Sequence, residues 1–81
     1  MTTETTKTIQ ERFDEKNTWF ESLDSVDQKI VRLTAIRSLE KDFAGTQQGI
    51  SSSDISHRIL SIYEGFKRSG DESIVNFCLE F

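Results

Sequence analysis

No proline occurs in this 81-residue chain, and no glycine precedes Gly45. Proline removes a backbone donor and clashes with the preceding turn, and glycine is the residue that most readily ends a helix. Their absence leaves the first half free to be helical, so apolar spacing decides what it becomes. Further along, over residues 51–70, Ile55, Ile59, Ile62 and Phe66 recur at steps of four, three and four. That spacing stacks them on one side of a helix with 3.6 residues per turn, and no strand aligns them. Tyr63 lies beside the stripe and Leu60 at its far edge, a buried face broader than a coiled-coil seam. Ser53 or Asp54 is the expected N-cap. Lys67 and Arg68 oppose the negative end of the dipole before Gly70 permits a left-handed cap. Asp54 with Arg58, and Glu64 with Arg68, stand four apart on the polar face, an order that supports a solvated helix by about 0.2–0.5 kcal/mol per pair.

Two further helical patterns occupy the first half. Ile9, Phe13, Lys16, Phe20 and Leu23 alternate steps of four and three, a heptad-like stripe centred on a lysine. Thr8 with Glu11 matches a capping box. The preferred reading of Lys16 lays its stem along the seam with the ammonium in water; the other makes it a polar seam residue that selects register or partner. Trp19, beside the stripe, reads first as core and second as the anchor of a binding surface. Ser22, Leu23, Asp24 and Ser25 mark the expected break, with Ser25 and Gln28 forming a second capping box, and one helix over about residues 8–43 is the alternative. Over residues 26–43 the apolar side chains form three stripes: Val26, Ile30 and Leu33; Ile36, Leu39 and Phe43; Val31 and Ala35. A helix so patterned is contacted on several faces, as the centre of a bundle or through self-association.

Residues 44–52 read as a loop. In the tail, Ile74, Phe77, Cys78 and Phe81 fit a helix, while Val75, Phe77, Leu79 and Phe81 alternate as in a strand. Asp71 and Glu72 mark a helix start and no other segment offers a strand partner, so the helix is preferred. The expected fold is a single all-α domain, a three-helix bundle with a short fourth C-terminal helix, and the alternative is a long helical hairpin. Residues 1–6 are expected to be flexible.

The formal charge of −4 argues against wholesale phosphate neutralisation. Cys78 is the only cysteine, which excludes an internal disulfide, suits a reducing compartment and, between Val75 and Leu79, reads as a packed small hydrophobe. The start shows no leader pattern and no apolar run reaches membrane-spanning length, so a cytoplasmic protein without a membrane role is expected. His57 has only Asp54 as a neighbour of metal-ligand type at close spacing, so neither a metal nor another cofactor is expected. No phosphate loop or nucleophile elbow is present, and the chain is expected not to be an enzyme.

Residues 49–60, GISSSDISHRIL, resemble the turn and second helix of a helix-turn-helix unit, with Gly49, Ile50, Ser51, Ile55 and Ile59 in register. Gln48 and Arg58 stand where that motif carries aliphatic side chains. The resemblance implies a DNA-binding transcriptional regulator, with Ser51, Ser52, Ser53, Ser56 and His57 toward base edges and Arg58 or Lys67 on phosphates. It is the alternative. The primary expectation is a small acidic intracellular interaction module, a regulator or inhibitor that binds another protein or itself, with Trp19, Phe20 and Phe81 as candidate contacts.

Overall fold

The computed structural model describes residues 7–47 and 49–81. The flexible segment expected at residues 1–6, and the place of Gln48 in the helix-turn-helix resemblance, lie outside the described residues. Four helices and no strand occur among the described residues: α1 (Ile9–Ser22), α2 (Ser25–Asp42), α3 (Ser52–Ser69) and α4 (Ile74–Glu80). The fold is a small all-α bundle in which the short fourth helix forms. The long hairpin is excluded, because α1 and α2 are separate.

Local chemistry explains each helix end. Thr8 and Glu11 form the expected capping box: the Thr8 hydroxyl accepts from the Glu11 amide at 3.1 Å and the Glu11 carboxylate accepts from the Thr8 amide at 2.9 Å. Between α1 and α2 no glycine is needed, since Leu23 and Asp24 are both extended. The cap of α2 is Asp24, which accepts from the Asp27 amide at 2.9 Å, and not the expected Ser25. Gln28 is used differently too. Its Nε2 donates to the carbonyls of Phe20 at 2.9 Å and Leu23 at 3.2 Å, tying α2 to the end of α1. The cap of α3 is Ser51, earlier than the expected Ser53 or Asp54, and Asp54 closes the box from the third helical position. Gly70 ends α3 at φ +75°, in the left-handed region foreseen for it. Ser73, and not Asp71 or Glu72, caps α4.

Packing is organised on α3, which lies against α1, α2 and α4, while α2 also packs on α4. The shared core joins Val31 and Ala35 of α2, Ile59 and Ile62 of α3, and Ile74 and Cys78 of α4. Tyr63 and Leu60 are buried, whereas Ile55 and Phe66 are only partly covered, so the covered face of α3 is rotated toward Leu60 and Tyr63 relative to the stripe read from spacing. In α2 the buried residues are Val31, Ala35 and Leu39, again at steps of four. Two of the three expected stripes are thus merged into one, and Val26 and Leu33 of the third stay largely in solvent. A Cβ at Gly65 would come within 3.0 Å of the Phe77 ring, so the bare backbone there lets the ring of α4 lie against α3.

Polar contacts cross the same seams. Arg12 of α1 grips Glu64 of α3 through two bonds, of 2.8 and 2.7 Å, and this pair holds the Glu64 carboxyl below its usual range. Arg58 of α3 donates to Ser38 and Asp42 of α2, both at 2.6 Å. These long-range pairs differ from the expectation for the polar face of α3. Arg58 bonds across to α2 while Asp54 is engaged in the cap, and Glu64 bonds across to α1.

Replacing Ile62, which is fully buried, with Ala should lower unfolding free energy by about 2–5 kcal/mol in urea titrations. Leu33→Ala on the exposed side of α2 should change it by no more than about 0.5 kcal/mol. Equal losses at the two positions would show that α2 is covered on both sides in solution.

Candidate functional site

Among the described residues, two concavities on the bundle are built by different helices. The larger, about 540 Å³, runs between α2 and α4. Leu33, Leu79 and Phe81 form its apolar walls and are 58 %, 79 % and 47 % exposed. Its floor includes Cys78, buried as expected, whose thiol pKa is pushed up by loss of solvent. Burial disfavours the thiolate, so this cysteine behaves as a packing residue. Arg37 and Lys41, one turn apart on α2, also line the groove, and neither meets a carboxylate among the described residues. At the same end Asp42 is engaged by Arg58. The result is a groove with apolar walls whose α2 margin carries two cations, Arg37 and Lys41, and the paired Asp42.

The smaller cleft, about 310 Å³, lies where α1 faces the start of α3, with Arg32 of α2 beside it. Lys16 lines it and is only 6 % exposed. Its Nζ donates to Asn17 Oδ1 at 2.8 Å and to Ser56 Oγ at 3.0 Å, and stands 5.1 Å from the centre of the Phe13 ring. The stem is buried along the seam as expected, and the ammonium bonds to side chains of α1 and α3. Phe13, Asn17 and Ser56 lie beside it, as in the polar-seam reading. Burial lowers the Lys16 pKa from the ordinary lysine value.

The three expected contact residues are distributed along one row of rings. Phe20 and Trp19 are 6.5 Å apart between centroids, Trp19 lies 6.2 Å from Phe66, Phe66 lies 5.8 Å from Phe77, and Phe77 lies 5.9 Å from Phe81. Trp19 also packs 4.9 Å from Tyr63 and is partly buried against the core. Phe20 lines the smaller cleft and Phe81 the larger groove. The row links the three without placing them on one surface.

Of the residues that the helix-turn-helix resemblance assigns to DNA, Ser51, Ser52, Ser53, His57 and Lys67 are exposed and Ser56 and Arg58 half-buried, and several also make contacts within the chain. Ser51 caps α3, Ser56 accepts from Lys16, and the His57 ring meets Phe13 edge-on at 5.0 Å. Arg58 is held by α2, and Lys67 lies over the Tyr63 ring. Residues 43–51 separate α2 from α3, a longer connection than the three- or four-residue turn of that motif. No helix among the described residues is long and apolar enough to cross a membrane.

Spacing alone did not bring Leu33, Leu79, Arg37 and Lys41 together. The available signal was the surplus of apolar residues around α2, more than one buried stripe can use.

Lys16 allows a test by pH. Its folded-state pKa lies below the unfolded value of 10.5, so across that interval the unfolded chain binds the extra proton and the contribution of this site to stability rises with pH. Urea unfolding of the native chain and of Lys16→Met, compared at neutral pH and near pH 10, should show the native chain gaining on the variant. A constant difference would place the ammonium in contact with water.

Compared with protein-family models, curated proteins and solved structures, the chain matches none.

Proposed function

We propose that this chain is a small non-enzymatic, cytoplasmic helical module that binds another protein through the α2–α4 groove and thereby regulates or inhibits it. One observation carries the reading: Leu33, Leu79 and Phe81, three of the five large apolar side chains exposed among the described residues, meet in a single groove. Apolar residues scattered singly over a surface need no explanation, whereas a contiguous group marks a place where another molecule excludes water. Arg37 and Lys41 add a preference. A helix or loop carrying apolar residues beside acidic ones complements this groove in both shape and charge. The single buried cysteine suits a reducing compartment. Phe81 is the expected contact residue that lies in the groove, and the reading places it at the interface with Leu79.

Leu79→Asp tests this, because Leu79 is the most exposed of the three and its change leaves the core intact. Affinity capture from the native cell, followed by titration of the purified partner, should show at least about a tenfold loss of affinity, about 1.4 kcal/mol, with helicity by circular dichroism unchanged. Sedimentation equilibrium separates a foreign partner from a second copy, since self-association gives a mass that rises with concentration and falls back in the variant. A partner that binds Leu79→Asp as tightly as the native chain would overturn the groove as the docking surface.

A further inference from the structure

We propose that the cleft between α1 and α3 is a binding site for a small organic carboxylate, with the carboxylate on Lys16 and an apolar stem against Phe20, Ile55 and Ile59. A lysine whose side chain is this deeply buried is stabilised by an opposite charge near its ammonium. Among the described residues Lys16 has none. An ammonium carries three donors, and the two acceptors here, Asn17 Oδ1 and Ser56 Oγ, are neutral. The chain holds 14 acidic residues, yet among the described residues none pairs with Lys16.

The surroundings say where the missing charge would sit. Lys16 and the two residues that accept from it, Asn17 and Ser56, all line the same cleft. Arg32, exposed and without a carboxylate among the described residues, stands beside the opening as a second cation. The remaining wall includes Phe20, Ile55 and Ile59, which accept a hydrocarbon stem and offer it no hydrogen bond. A volume of about 310 Å³ falls at the small end of the range for small-molecule sites. One buried positive charge is matched by one negative charge. A phosphate dianion would leave a surplus charge without water around it, which is why a monocarboxylate fits best.

This site is separate from the α2–α4 groove, so the two proposals fail independently. The probes are hexanoate, hexanol and inorganic phosphate, titrated into the full chain and followed by calorimetry and by amide chemical shifts. Hexanoate should bind saturably and shift amides around Lys16 and Ser56, while hexanol and phosphate bind at least about tenfold more weakly. Lys16→Met, with helicity retained, should lose hexanoate binding by at least about tenfold. Arg32→Gln, a change at an exposed side chain that bears on no core contact, should weaken it by about twofold or more and keeps the test open if the Lys16 variant does not fold. Equal binding of hexanol and hexanoate, no saturable binding of hexanoate, shifts confined to the α2–α4 groove, or undiminished affinity in the variant that folds would overturn the proposal.

Discussion

The apolar side of α3 is the contact on which the rest of the bundle depends. Ile59 and Ile62 meet Val31 and Ala35 of α2 in the core that Ile74 and Cys78 of α4 complete, and α1 leans Trp19, Phe20 and Leu23 on it. A chain of this length buries only about 60 % of the surface its unfolded form exposes, so a core this small is sensitive to each residue in it. Alanine at position 35 and glycine at position 65 act within that limit. Small residues let the helices approach, and the large side chains around them fill the space.

Polar groups at the seams restrict how the helices can be arranged. Arg12 with Glu64 joins α1 to α3, and Arg58 with Ser38 and Asp42 joins α3 to α2. Each pair is partly exposed, so each adds little to stability on the scale of the core. Their effect is on register, because a guanidinium fixed by two bonds, Arg12 on the Glu64 carboxylate and Arg58 on Ser38 and Asp42, tolerates little sliding. Lys16 differs in kind. Its side chain is buried against neutral partners beside a cleft, and that burial lowers its pKa.

The exterior is divided in the same way. On α2 and α4 Leu33, Leu79 and Phe81, left over after the core is filled, gather in one trough, with Arg37, Lys41 and the Arg58-paired Asp42 at its α2 edge. A protein ligand read by that trough and a small acid read by the Lys16 cleft would use opposite sides of the chemistry of α2, the first through Arg37 and Lys41, the second through Arg32.

Helix type and approximate extent were legible in the letters, because the signals are local. A repeating step of three or four residues, a threonine three before a glutamate, and a glycine after two cations act within a turn or two of the chain. Where two local signals competed, as at Asp24 against Ser25 or Ser51 against Ser53, the choice fell to whichever side chain reached an open amide. Only the tertiary structure decided which apolar residues of α2 are covered, that Glu64 faces Arg12, that Lys16 is enclosed, and that Leu33, Leu79 and Phe81 share a groove. These facts depend on the angles and offsets at which helices cross, and those follow from the joint packing of residues far apart in the chain, which the spacing within any one helix does not record.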